Sequence, residues 1–216
     1  MARSAAWTPA RLRYVVVLVL LGCAWLAMLL LGGGAADRRI AEALYAGSDP
    51  ALLTAARIFT ALGEPTVLVA GGFLVAAVLW WIGRGRFAFG LLLVILVGRA
   101  LTEAQKYWIA RARPDIEPHL VAVKTSSFPS GHSASSMIFY LVLALALTGR
   151  TGWRNIAAAG AILLSLLTGV SRVMLGVHWP SDVIGGWSFG MLWVLVTLPT
   201  AERLFGGNSR PPRKQL

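Results

Sequence analysis

Three short stretches of the chain hold residues whose types and spacing can do chemistry. In SRVMLGVHWPSD, Ser171 to Asp182, an arginine, a histidine and an aspartate fall within twelve residues, between two long apolar runs. Charges beside a membrane span cost free energy unless something uses them. Asp182 lies four residues after His178, close enough to accept a hydrogen bond from one ring nitrogen. The other nitrogen then holds the lone pair, with tautomer and direction fixed. A histidine oriented in this way by a carboxylate suits nucleophilic catalysis. Arg172 closes the span before it, and Pro180 pre-sets the start of the helix after it.

The second stretch is SFPSGHSAS, which opens an apolar run. Ser130 is a natural helix cap, and Gly131 allows close backbone approach. Free N–H groups at such a helix start make an anion site. His132 falls in the first turn, where the positive helix end disfavours imidazolium unless an anion is bound. A capping serine with a bystander histidine explains the same residues. The third stretch is KYWIARARP, Lys106 to Pro114. Seven residues separate Lys106 from Arg113, so on a helix they share a face, about 10 Å apart. Pro114 disfavours helix at Arg113, which predicts that a span ends there. Taken alone, the two cations equally suit lipid headgroups.

The elements that must position these residues are apolar. Of the 216 residues 57% are hydrophobic and 13% charged, too apolar for a soluble domain of this size. Six runs are long enough to cross a bilayer: Tyr14–Gly33, Pro65–Ile82, Phe87–Ile109, Ser130–Leu147, Asn155–Val173 and Ser181–Pro199. About 20 residues cover the hydrocarbon, so the expected fold is all-α, a six-transmembrane-helix bundle. The first run follows Arg11 and Arg13 as a leader peptide would, but its length suits a retained span. Between the first two spans, Gly34–Glu64 shows three-to-four apolar spacing, with Gly47 and Gly63 as stops. It predicts short amphipathic helices, lying on the outer surface or packed against the bundle. Cys23 lies in an apolar run and has no internal disulfide partner. It reads as a small core or lipid-facing residue. Residues 1–200 read as one integral membrane domain and 201–216 as a polar, basic tail, disordered over NSRPPRKQL.

The net charge of +11 would raise nucleic acid as a partner for a soluble protein; here the membrane takes precedence. With both termini cytoplasmic, the inner side holds eleven of the twenty Lys and Arg against one acid. The outer side holds nine against eight acids, and carries all three stretches. The basic split is small until the outer cations are assigned to function. Trp80, Trp81 and Trp153 near one face, and Trp108 and Trp179 near the other, suit interfacial belts.

Together the three stretches resemble the signature of the type 2 phosphatidic acid phosphatase superfamily: KxxxxxxRP, PSGH and SRxxxxxHxxxD. Here these read Lys106–Pro114, Pro129–His132 and Ser171–Asp182, with every signature position matched and every internal spacing kept. The resemblance covers roughly Phe87–Pro199; the first two spans match only in character. It implies an integral membrane lipid phosphatase. Lys106, Arg113 and Arg172, with Ser130 and the Gly131 backbone, would bind phosphoryl oxygens. His178 would attack phosphorus, Asp182 would orient it, and His132 would protonate the leaving oxygen and then activate water. Phosphoryl transfer needs positioning and charge neutralisation; three cations here can stand where magnesium often does, so neither metal nor cofactor is expected. Glu103 is expected to pair with Lys106 at i, i+3, and His119 to be a loop residue. Arg111 and Lys124 read as surface charges.

The expected partner is a lipid phosphate within the membrane, with no nucleic acid and no obligatory protein partner evident. Candidates are undecaprenyl pyrophosphate, phosphatidylglycerophosphate, phosphatidate and lipid A phosphate. Alanine, glycine and arginine richness suggests a bacterial source. A site facing outward from the bacterial inner membrane then favours the undecaprenyl carrier. A lipid phosphotransferase of the same family, a vanadium haloperoxidase and a non-enzymatic lipid transporter or scaffold are the competing readings. The spans count against the haloperoxidase, and the lack of an internal repeat counts against the transporter.

Overall fold

The computed structural model describes residues 8–149 and 151–206. Among these the chain forms eight helices and no strand, in agreement with the all-α expectation. They are α1 (Pro9–Leu31), α2 (Ala35–Leu44), α3 (Pro50–Leu62), α4 (Pro65–Trp81), α5 (Gly85–Ile109), α6 (Gly131–Thr148), α7 (Arg154–Met174) and α8 (Pro180–Phe205). Five of them are long and apolar enough to cross a membrane. α3 and α4 pass that test only together, bent by 41°, which gives up to six crossings. The protein is an integral membrane protein.

Local chemistry explains the starts. Proline stands at the first position of α1, α3, α4 and α8, where its missing N–H costs nothing. The Asp49 carboxylate accepts from the N–H groups of Ala51 and Leu52 at 2.8 and 3.1 Å and so caps α3. Ser130 caps α6 through the N–H of Ser133 at 3.4 Å.

Four features refine or correct the sequence reading. The two amphipathic helices in 34–64 are present as α2 and α3, and of the two expected placements α3 takes the packed one. It packs on α7, with Ala56 fully buried, and runs into α4. α5 stops at Ile109, where the expected span ends but four residues short of Arg113, because Ala110 turns into the left-handed region at φ 49°. Lys106 and Arg113 therefore share no helix face. α8 runs through Pro199 to Phe205, into the expected tail. A proline there frees the carbonyl four residues earlier. That carbonyl, Leu195 O, accepts instead from the Tyr14 hydroxyl of α1 at 2.7 Å. The rest of the tail, 207–216, lies outside the described residues. Finally, Trp179 is not a belt residue: it is buried, and its indole donates to Ala112 O at 3.1 Å. Trp80, Trp81, Trp108 and Trp153 are exposed as expected, and Cys23 is exposed on α1.

The main core lies among α4, α5, α6 and α8. α6 and α8 approach closest through Gly186 and Gly190, four residues apart, which face Ser130, Ser133, Ala134 and Met137 of α6. Small residues at this spacing let two helix backbones meet inside a membrane. This contact brings the start of α6 beside the start of α8.

Candidate active site

All three stretches come to one end of the bundle, where α5 and α7 finish and α6 and α8 begin. Between α7 and α8 the chain must turn back within a few residues. Gly176 makes the turn at φ +73°, a conformation that side chains rarely adopt, with Tyr45 and Pro118 O packed against it. The turn carries His178 back under the 110–130 loop. The loop is itself fixed by backbone hydrogen bonds from Leu120 to Leu175 O at 3.1 Å and from Ser127 to Arg111 O at 2.8 Å. His119 belongs to this loop, as expected, and bonds Pro114 O at 2.8 Å.

His178 is 2% exposed. Its Nε2 stands 3.2 Å from Nη1 of Arg113. A guanidinium can only donate, so Nε2 holds the lone pair and Nδ1 the proton. Nδ1 faces the Ser127 hydroxyl at 3.3 Å and Asp182 Oδ2 at 3.5 Å. Asp182 thus faces Nδ1 as expected, and Ser127 joins the pair from the side, its Oγ donating to Asp182 Oδ2 at 2.5 Å. Burial, and then the charges of Lys106, Arg113 and Arg172, hold His178 well below its ordinary pKa; the contact with Ser127 acts the other way. The imidazole is therefore neutral at physiological pH, the form a nucleophile needs.

The three cations surround it. Lys106 is buried and donates to Ser126 O at 2.8 Å, and Arg113 reaches the same carbonyl at 3.4 Å. Lys106 does not pair with Glu103, which lies instead 3.8 Å from Arg99. Arg113 is also held by Val177 O at 2.5 Å and Thr125 O at 2.8 Å. Arg172, 5% exposed, donates through Nη1 to Thr60 Oγ1 at 2.7 Å, while its Nε is buried with no partner. A buried donor left unpaired costs free energy that a phosphoryl oxygen would recover. Ser130 is fully buried, and its N–H donates to Asp182 O at 2.9 Å, which ties the start of α6 to the start of α8. Gly131 lies against the Lys106 side chain: a Cβ there would be 3.4 Å from Lys106 Cε. His132 is mostly buried at the same end, its Nε2 3.2 Å from Glu64 Oε2. No three His, Cys, Asp or Glu side chains among the described residues are placed to hold a metal ion.

A buried neutral histidine with a fixed lone pair, ringed by cations, can attack an electrophilic phosphorus and stabilise the charge that develops. The model of the PAP2 superfamily matches residues 87–205, more than half of the chain. The chain belongs to the PAP2 superfamily. Among its PAP2 relatives, phosphatidylglycerophosphatase B of Bacillus subtilis (strain 168) is 39% identical over 122 residues, covering 51% of this chain and 60% of the relative. An undecaprenyl-diphosphatase of Sulfolobus acidocaldarius is 37% identical over 112 residues, covering 49% of this chain and 51% of the relative. This chain thus matches only about half to three-fifths of the length of these curated relatives. The crystal structure of a transmembrane PAP2 type phosphatidylglycerolphosphate phosphatase from Bacillus subtilis matches more fully. It has a TM-score of 0.79 and 30% identity, covering 87% of this chain and 96% of that one.

Five residues of the site lie outside the PAP2 signature, and the sequence reading missed them. Ser127 adjoins PSGH, and its place two residues before Pro129 was the available signal. Arg111, read as a surface charge, is half-buried and pairs with Asp182 at 2.9 Å. Lys124, read the same way, is exposed. Thr60 and Glu64 arrive from the α3–α4 bend and Asp37 from α2, all before residue 87, and no local pattern marks them.

Proposed function

We propose that this PAP2 protein is a membrane lipid phosphatase that works through a phosphohistidine on His178. The observation that carries the reading is the fixed tautomer of His178, with Arg113 on Nε2 and both Ser127 and Asp182 facing Nδ1. Lys106, Arg113 and Arg172, with Ser130 and the Gly131 N–H, bind the non-bridging oxygens. His178 Nε2 forms a bond to phosphorus as the bond to the lipid oxygen breaks, and His132 gives that oxygen its proton. Water then attacks the phosphohistidine, His132 takes the proton from water, and the P–N bond breaks to release phosphate. Asp182 balances the positive charge that the His178 ring carries while it is phosphorylated. Beside Lys106, a groove of about 430 Å³ lined by Glu103, Tyr107, Ala110, Thr125 and Ser126 leaves room for the headgroup.

Both termini lie in the cytoplasm and the site faces outward from a bacterial inner membrane, the arrangement that the basic residues favour. A membrane-impermeant thiol reagent tests this: with Cys23 replaced, it should label a cysteine at position 119 in intact cells and spare one at 152. The reverse pattern overturns the orientation. An outward site favours undecaprenyl pyrophosphate as substrate. The likeness in sequence and in fold to the Bacillus phosphatases favours phosphatidylglycerophosphate as the second reading. A panel of lipid phosphates with phosphate release as readout separates them. Release from the diphosphate carrier alone supports the first, and release from phosphatidylglycerophosphate alone supports the second. Transfer to another lipid without release makes the protein a phosphotransferase, and binding without either contradicts the enzymatic reading.

A further inference from the structure

Asp182 is fully buried, and a carboxylate in such a place needs every lone-pair direction answered. Its Oδ2 accepts from Ser127 Oγ and from the N–H of Trp179 at 2.9 Å. Its Oδ1 accepts from Arg111 Nη1 at 2.9 Å. The same guanidinium donates through Nη2 to Met28 O at 2.9 Å and Leu29 O at 2.6 Å, carbonyls in the last turn of α1. These are among the groups that a helix leaves without partners, at its negative end. Arg111 also stacks over the Phe128 ring at 4.3 Å and bonds Ser181 Oγ at 3.2 Å. Ser181 is held from its other side by the buried Asp37 of α2. One Asp37 oxygen accepts from the Ser181 N–H at 2.9 Å; the other accepts from Ser181 Oγ and from the N–H of Gly33 at 2.6 Å. Gly32 packs beneath, where a Cβ would collide with both Arg111 Nη1 and Ser181 Oγ.

We propose that Arg111 is the positioning residue for Asp182, and that with Asp37 it makes the α1–α2 corner part of the apparatus that aims His178. The inference rests on His178 being the nucleophile. Arg111 is aimed away from the phosphate cations and toward Asp182, so it acts through the aspartate and not on substrate. Fixing Oδ1 turns Oδ2 toward Ser127 and His178. With Arg111 gone, a buried oxygen has no donor and the carboxylate rotates to find one. Oδ2 then leaves its place against Nδ1 and Ser127, and Nε2 loses its aim.

The test is the initial burst of phenol from an aryl phosphate, measured beside the inhibition constant of inorganic phosphate, on full-length protein in detergent. Phosphate reports the cation site, and the burst reports attack by His178. Arg111→Ala should slow the burst by about 10²-fold, the cost of misplacing a reacting group by about 1 Å, and shift phosphate inhibition by less than about threefold. Arg111→Lys keeps the charge but cannot bridge Asp182, Ser181 and two carbonyls at once, so it should recover only about a tenth of the lost rate. Gly32→Ala displaces the guanidinium without removing it and should slow the burst with the same selectivity. It serves as the second route if Arg111→Ala does not fold. No burst from the unaltered protein overturns the His178 reading itself. A normal burst in the unaltered protein with an unchanged burst in Arg111→Ala overturns this inference alone. Parallel loss of burst and phosphate binding in Arg111→Lys and Gly32→Ala would make the residue a structural prop and also overturns it.

Discussion

Gly186→Ala adds one methyl group where α6 and α8 touch, and its effect can be scaled from distances. The new Cβ would stand 2.7 Å from Ser130 O, 2.9 Å from Ser133 Cβ and 3.2 Å from Ala134 N. Ordinary contact begins near 3.4 Å, so the helices must part by about 0.7 Å. Ser130 O is backbone at a helix start and cannot swing aside as a side chain could. The N–H of the same Ser130 holds Asp182 O, so parting the helices moves the α6 start away from the α8 start. That separates the phosphate-binding cap from the histidine. With about 10²-fold lost per ångström of misplacement, the burst from an aryl phosphate should slow by about 10- to 100-fold. The thermal midpoint in detergent should fall as well, since overpacking costs about 1–3 kcal/mol. The control is Gly160→Ala on α7, where a Cβ meets nothing within 4 Å. It should leave the rate unchanged and raise helix stability by up to about 1 kcal/mol. A wild-type rate in Gly186→Ala, or equal losses in both variants, would refute the claim that this glycine contact sets the site.

Arg172→Lys should lower turnover by about 10-fold or more although it keeps the charge, because lysine cannot hold Thr60 and two phosphoryl oxygens together; near-normal turnover would reduce Arg172 to a diffuse charge. Activity should survive EDTA, since the chain's own cations neutralise the phosphoryl group; loss restored by added magnesium or zinc would contradict this. Stability should carry a signature of His178. Its pKa is depressed by folding, so below the ordinary value near 6.5 the unfolded chain takes up a proton that the folded chain does not, and stability falls as pH falls. The drop in thermal midpoint from pH 7.5 to 5.5 should be smaller in His178→Asn; an equal drop would place the buried charge penalty elsewhere.

The spans were legible because each is a continuous apolar run, and the signature residues were legible because their spacings are rigid. What escaped the sequence depends on distant partners. The apolar run marks the α5 end at Ile109 but not that Arg113 lies beyond it, since Ala110 has no local signal for its left-handed turn; the Ser126 hydroxyl bonding Lys106 O, twenty residues away, helps hold it. The sixth apolar run ends at Pro199, yet α8 continues past it, because a tyrosine from α1 answers the carbonyl the proline frees. Arg111 looked like surface charge because the α1 carbonyls that bury it stand more than eighty residues earlier in the chain. The Asp182–His178 pair is legible in its i, i+4 spacing, yet the serine that touches both comes from another loop. Gly186 and Gly190 carried a readable small-residue spacing, but nothing in it names α6 as the partner.

The central claim is that phosphorus passes through His178. Rapid quenching of the protein with a phosphorus-labelled lipid phosphate, followed by mapping of the labelled peptide, tests it most directly. The account predicts an acid-labile, alkali-stable phosphohistidine on His178, absent in His178→Ala. In His132→Ala, where water activation is lost, the adduct formed from an aryl phosphate should persist, since a phenol leaves without its proton. Label on His132, or phosphate released at the normal rate by His178→Ala, would contradict it.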